Sequence, residues 1–242
     1  MKTIGLLGGM SWESSAEYYR IINQYMKQAL GGLHSAQCLL YSVDFAEIEA
    51  LQMRGAWDEA GVRLGDAAQR LERAGADMVL LCTNTMHKVA PAIQAAIAIP
   101  LLHIADPTAA AIVERGFRTV GLLGTRFTME QDFYKGRLTQ QHGLAVLVPP
   151  PEDQAVVHRI IYDELCLGRM LPESRRAYQA VIERLALAGA EAIILGCTEI
   201  GLLVQQEHSR VPLFDTTLLH AQAAAQLAIE QPGPAAPPLL NR

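Results

Sequence analysis

The chain of 242 residues lacks most of the devices by which proteins hold a cofactor or a metal. It has only four lysines (Lys2, Lys27, Lys88 and Lys135), and none lies in a pyridoxal-phosphate context. Its seven histidines are dispersed, with no H-x-x-x-H or H-x-E pattern for a metal. Its four cysteines, Cys38, Cys82, Cys166 and Cys197, form no C-x-x-C pair, so a structural zinc is not expected. A reducing compartment would leave them as thiols, and Cys38, Cys82 and Cys166 read as small core residues. Gly8-Gly9-Met10 completes neither G-x-G-x-x-G nor G-K-[ST], so a dinucleotide or nucleotide loop is not indicated. A net charge of −5, with scattered Lys and Arg, speaks against a nucleic-acid partner. No apolar run reaches the roughly 18 residues of a membrane span, and the strand-like start TIGLLGG has no leader pattern. The expectation is a cytoplasmic, cofactor-free protein that handles a small molecule.

Half of the residues are apolar, and they are organised as a repeat. AGADMVLLCTNT from Ala74 matches AGAEAIILGCTE from Ala188, which lays Thr83 on Cys197. TIGLLGGM from Thr3 matches TVGLLGTR from Thr119, and Ile99-Pro100-Leu101-Leu102 matches Val211-Pro212-Leu213-Phe214. Short apolar runs closed by glycine predict buried parallel strands at 3–9, 78–82, 100–104, 119–123, 192–196 and 212–214, with further strands at 38–45 and 144–148. Helical spacing predicts helices at 12–30, 57–74, 89–98, 131–141, 154–167, 173–188 and 216–230. Strands alternating with helices predict an α/β protein of two pseudo-symmetric three-layer domains with parallel sheets. The expected division is 1–105 plus 215–242 for the first domain and 106–214 for the second, the last helix crossing back to the first. The Pro-rich tail QPGPAAPPLLNR reads as mobile.

In such sheets a ligand sits beyond the carboxyl ends of the strands. Gly8-Gly9-Met10, Thr83-Asn84-Thr85, Gly124-Thr125 and Cys197-Thr198-Glu199 all fall there, so loops of two related halves converge on one cleft. The glycine turn also reads simply as a tight bend that lets backbone approach a small anion. Cys197 is the candidate base: a thiol titrates near neutrality, and a following helix would favour its anion through its amide dipoles. Thr198 and Glu199 read either as caps of that helix or as contacts to a substrate ammonium or carboxylate. His87, four residues past Thr83, reads as a surface residue or as a group that orients or charges the site.

These segments resemble the aspartate/glutamate racemase family over nearly the whole chain, most closely its bacterial L-aspartate/glutamate-specific branch. The resemblance rests on Gly8-Gly9-Met10-Ser11-Trp12-Glu13-Ser14 with Tyr18-Tyr19 and Asn23, on Thr83-Asn84-Thr85-Met86-His87, on Gly124-Thr125-Arg126-Phe127-Thr128 with Tyr134, and on Gly196-Cys197-Thr198-Glu199. It implies a cofactor-independent, two-base exchange of the α-proton of acidic amino acids in the cleft between the domains. Cys197 would face the α-hydrogen of the L-enantiomer. Asn84, Thr85, Thr125, Thr128 and Thr198 would hold the α-carboxylate and ammonium, and Met10, Gln52, Gly168 and Glu199 complete the substrate-binding set.

The chain departs from the family's Cys-Asn-Thr-x-His at Thr83. Cys82 is one residue early, and on a strand that points its side chain to the opposite face. A threonine hydroxyl can donate a proton, directly or as a relay from water or His87, but is a poor base. A dicarboxylate calls for a bidentate cation, and the relevant neighbourhoods hold Gln52 with Arg54 and Cys166 with Arg169 instead. Neutral substrates such as homoserine or methionine therefore stay open. So do another cofactor-free isomerase, of hydantoin or maleate type, and an amino-acid-binding homologue without catalysis. The oligomeric state is not fixed, although an apolar surface helix is compatible with a homodimer.

Overall fold

The computed structural model describes residues 1–230; the Pro-rich tail and the end of the expected first domain lie outside the described residues. The first half runs β1 (Ile4–Gly8), α1 (Trp12–Leu30), β2 (Cys38–Ser42), α2 (Phe45–Arg54), α3 (Trp57–Arg73), β3 (Met78–Leu81), a 3-10 turn at Thr85–Val89, α4 (Ala90–Ala96) and β4 (Leu101–Leu102). Helix α5 (Ala105–Glu114) leads into the second half. There β5 (Thr119–Gly124), α6 (Arg126–Glu130), α7 (Asp132–His142), β6 (Ala145–Leu147), α8 (Pro151–Asp163), α9 (Pro172–Leu187), β7 (Ala192–Gly196), α10 (Ile200–Leu203), β8 (Leu213–Asp215) and α11 (Thr216–Ile229) follow. The strands form two parallel four-stranded sheets of the same topology, β2-β1-β3-β4 and β6-β5-β7-β8.

The repeat holds down to single hydrogen bonds. Asp77 N–H donates to Thr3 O at 2.8 Å, and Glu191 N–H donates to Thr119 O at 2.9 Å. Both acids reach back to a strand start, Asp77 accepting from Thr3 N–H and Glu191 from Thr119 N–H. Gly75 and Gly189 end the preceding helices at φ +97° and +104°, a region that residues with a Cβ rarely occupy.

Side chains of a strand alternate between faces, and the cores follow that period. Val79 and Leu81 pack with Leu64 and Ile93, whereas Met78, Leu80 and Cys82 pack with Tyr18, Ile22, Ala221 and Ala225. In the second sheet Ile193, Leu195 and Cys197 face Ile160 and Val181, and Ala192 and Ile194 face Ile112 and Tyr134. Continuing the register beyond the strands, Thr83 falls on the face of Val79 and Leu81, and Cys197 on the equivalent face of its own sheet. Helix α11 lies on α1, where the Tyr18 hydroxyl meets His220 Nδ1 at 2.8 Å.

Several elements differ from the sequence reading. The strand expected over 38–45 stops at Ser42, because Asp44 caps a helix: its carboxylate accepts from Ala46 N–H at 3.0 Å, and α2 begins at Phe45. The helix expected from Val89 is preceded by the turn at Thr85–Val89, which aims Thr85 and His87 inward. The helix expected over 154–167 is α8 and a separate turn, Leu165–Leu167, ended by Gly168 at φ +70°. Helices α5 and α6 lie in segments where no helix was predicted.

Candidate active site

The carboxyl ends of both sheets meet around a cavity of about 20 Å³, room for roughly one water molecule. Thr83, Asn84 and Thr85 line it after β3, Thr125 after β5, and Gly196, Cys197 and Glu199 at the end of β7. Met10 enters after β1, Phe45 and Gln52 from α2, and Ile161, Tyr162 and Cys166 from α8 and the turn that follows. Phe45, Ile161 and Tyr162 carry no local motif, and α2 lies outside the segments for which the sequence predicts a helix.

Gly9 sets the first loop. It sits at φ +93°, and a Cβ there would collide with Val43 O, while its N–H donates to Ser15 Oγ at 2.8 Å. The turn delivers Ser11, which caps α1 and donates its hydroxyl to Glu199 Oε1 at 2.6 Å. Four hydrogen bonds thus link residues far apart in the chain around the site. Besides Ser11 with Glu199, Thr85 Oγ1 lies 2.9 Å from Thr125 Oγ1, Asn84 Nδ2 donates to Thr216 Oγ1 at 3.0 Å, and Tyr162 OH donates to Gln52 Oε1 at 3.0 Å. The cavity is smaller than an amino acid, and these four bonds tie together the loops that border it.

On one side Cys197 Sγ donates to Glu199 Oε2 at 2.9 Å, and Thr198 Oγ1 donates to the same oxygen at 2.8 Å. The expectation that a helix would favour the thiolate is corrected. Burial first, then the neighbouring Glu199 carboxylate and Cys166, push the Cys197 thiol well above its usual range. The helix that follows, α10, has only four residues. The thiol is a resting acid already pointed at a carboxylate.

Thr83 stands on the other side, buried, its carbonyl receiving the Nδ1 proton of His87 at 2.7 Å. His87 Nε2 accepts from Ile104 N–H at 3.2 Å. Both ring nitrogens are therefore occupied, and burial holds the imidazole neutral, its pKa lowered to about 4. His87 is neither a surface residue, nor a charge in the site, nor a relay to Thr83. It ties the Thr83 loop to the start of α5. Cys82 points away from the cavity into the core beside Tyr18 and α11, where burial raises its thiol.

Three expected substrate contacts do not line the cavity. Thr128 stands behind Thr125, their hydroxyls 3.3 Å apart. Thr198 is turned toward Glu199. Gly168 is an exposed turn glycine near Glu13. Each belongs to a loop that does reach the site, but its side chain, or its lack of one, serves the loop. Cys166, read as a core residue, packs on the α8–α9 core and also lines the cavity.

Among the described residues, no group of three His, Cys, Asp or Glu side chains is placed to hold a metal, and no helix is long and apolar enough to cross a membrane.

The buried histidines predict an acid-labile fold. His87 and His220 are held at about 4 and about 3 by burial, against 6.5 when exposed. A folded-state value below the unfolded one makes unfolding take up protons as pH falls through 6.5. The stability these two rings allow is complete above pH 6.5 and is lost progressively down to about 4 for His87 and about 3 for His220. At pH 5 unfolding should take up about two protons through them. Melting curves should therefore show Tm falling between pH 7 and pH 5; a flat Tm across that window would contradict this.

Comparison with known proteins agrees with this architecture. The family model described as Asp/Glu/Hydantoin racemase matches residues 7–224. A candidate Asp/Glu racemase from Yersinia pestis has a crystal structure with a TM-score of 0.88 and 56% identity, covering 95% of this chain and 100% of that one. An aspartate racemase homologue from Pyrococcus horikoshii superimposes with a TM-score of 0.82 at 34% identity, over 95% of this chain and 100% of the other. The broad specificity amino-acid racemase RacX of Bacillus subtilis is 24% identical over 91% of this chain and 95% of its own length. With two like-wound sheets, a cleft at their carboxyl ends and a family match over most of its length, the chain belongs to the Asp/Glu/Hydantoin racemase family.

Proposed function

We propose that the protein is a cofactor-independent amino-acid racemase in which Cys197 removes the α-proton of the L-enantiomer and Thr83 supplies one to the opposite face. The observation that carries this reading is the Cys197–Glu199 pair facing a cavity whose other wall holds Thr83. The thiol proton passes to Glu199 Oε2 across an existing hydrogen bond, and the thiolate takes the proton from Cα. The transfer moves charge within a buried pair rather than creating it. A substrate ammonium nearby further favours the thiolate. Thr83, with no base at its hydroxyl among the described residues, relays a proton to the carbanion, taking one from a solvent water as it gives its own. The hydroxide so formed is neutralised by the proton held on Glu199, which restores the resting thiol and carboxylate.

Substrate placement follows from unspent hydrogen-bonding capacity. Asn84 uses Nδ2 on Thr216, while its buried Oδ1 has no partner among the described residues. A buried acceptor of this kind is costly unless filled, and it suits the α-ammonium. Thr125 Oγ1 caps α6 by accepting from Thr128 N–H and keeps its hydroxyl proton, as Thr85 does, to offer an α-carboxylate. The thiol, carboxylate and unpartnered acceptor favour catalysis over a binding protein without chemistry.

Thr83→Val tests the division of labour. In D2O, the variant should make D-product about 10²-fold more slowly, while deuterium still washes into the L-substrate through Cys197. Racemisation at the native rate would remove Thr83 from the mechanism. Equal loss of exchange and racemisation would mean that it only supports the loop.

A further inference from the structure

We propose that Gln52 and Tyr162 form the specificity-determining end of the site, and that they select an α-amino acid whose short side chain is uncharged and ends in an oxygen acceptor. The proposal rests on the racemase reading above and names its substrate class.

Among the described residues no Lys or Arg lines the cavity, and the one carboxylate there is Glu199. The cations expected nearby point elsewhere. Arg54 is exposed, pairs with Glu59 at 3.9 Å and donates to Ala50 O, and Arg169 is exposed. A second carboxylate, as in aspartate or glutamate, would be buried beside Glu199 with no opposite charge, an unfavourable arrangement. The acidic substrates implied by the family resemblance are therefore not what this lining favours.

The neutral groups at this end have a fixed orientation. Gln52 Oε1 accepts from Tyr162 OH at 3.0 Å, and Gln52 Nε2 donates to Met86 Sδ at 2.9 Å. Turning the carboxamide over would set its oxygen against the sulfur, two acceptors facing each other, so the arrangement fixes which end is the amide nitrogen. The thioether is a weak acceptor. A substrate oxygen is a stronger one and can take over a Gln52 N–H without disturbing Tyr162. The tyrosine stays protonated, since burial raises its hydroxyl well above the usual range, with smaller contributions from Cys197 and Cys166. Phe45, Ile161 and Cys166 complete an otherwise apolar wall that suits a short carbon chain. A side-chain amide or hydroxyl is both uncharged and an oxygen acceptor; a carboxylate supplies the acceptor but not the neutrality.

The test is a kcat/KM panel on the full chain with L-asparagine, L-aspartate, L-homoserine and L-2-aminobutyrate, reading Cα deuterium in D2O. Asparagine and aspartate share a shape and differ in charge. The proposal expects asparagine to exceed aspartate, and homoserine to exceed 2-aminobutyrate, each by about tenfold or more. Gln52→Arg should raise aspartate relative to asparagine by at least about tenfold. Tyr162→Phe should lower homoserine about tenfold more than 2-aminobutyrate, because the carboxamide loses its orienting donor. Circular dichroism checks that each variant is folded, and the wild-type panel stands without them. Exchange with aspartate equal to or above asparagine overturns the specificity proposal and leaves the racemase reading intact. Absence of exchange with every amino acid overturns both.

Discussion

Cys197→Ser is expected to lower α-proton exchange from L-substrates by at least about 10³-fold while leaving the melting curve close to that of the native protein. The serine hydroxyl can keep the hydrogen bond to Glu199, because the thiol already donates to Oε2 at 2.9 Å. It cannot reproduce the chemistry: a hydroxyl is a far weaker acid than a thiol, so its anion is not formed by proton transfer to a carboxylate. The site lies at the end of β7, beyond the last paired residue Gly196, so the sheet register does not depend on the sulfur. Exchange in the serine variant within tenfold of the native rate would remove Cys197 as the base.

Glu199→Gln should reduce turnover at neutral pH by about 10²–10³-fold, and the form of the loss is more telling than its size. The carboxylate has two opposed effects on the thiol: it accepts the thiol proton, and its charge disfavours a thiolate beside it. An amide removes both. At neutral pH the loss of the acceptor dominates, because a buried thiol then has nowhere to send its proton. As pH rises the variant's thiol can ionise to solvent without facing a negative neighbour, so activity should recover along a rising alkaline limb that the native enzyme lacks. A Glu199→Gln variant faster than the native enzyme at pH 7 would mean that Glu199 only repels. Ser11 and Thr198 hold the carboxylate in place, so their loss should follow the same pH signature more weakly.

The repeat was the most legible part of this chain, because parallel strands buried on both faces read as short apolar runs closed by glycine. That gave both sheets their strands, and strand ends gave Thr83, Asn84, Thr85, Thr125 and Cys197. The exclusion of Cys82 also followed from period two alone. What escaped was set by side chains from outside the repeat. Tyr162 and Ile161 sit on an amphipathic helix whose pattern does not mark which residues end at a cavity. Gln52 was singled out by resemblance, but α2 was missed because the apolar strand pattern ran on past the Asp44 cap. The protonation of Cys197 could not be read from its strand-end position, since it depends on burial and on Glu199 being turned back toward the sulfur. His87 was similarly ambiguous in sequence. Only the partners at its two nitrogens make it a neutral clamp.

The reading also carries a thermodynamic constraint. Enantiomers have equal free energy in water, so kcat/KM must be the same in both directions, however unlike Cys197 and Thr83 are. Their difference can appear only in kcat and KM taken separately.

The central claim is that Cα is deprotonated on one face and reprotonated on the other without a cofactor. Its most direct test is incubation of the protein in D2O with single enantiomers of asparagine, homoserine, aspartate and glutamate. Cα deuterium is read by NMR, and enantiomer ratio by chiral chromatography. The account expects the opposite enantiomer to appear already deuterated at Cα from the first turnovers, with the signal lost in Cys197→Ser. A folded, reduced protein that exchanges no Cα hydrogen in any of them, or that forms product retaining the original hydrogen, would contradict it.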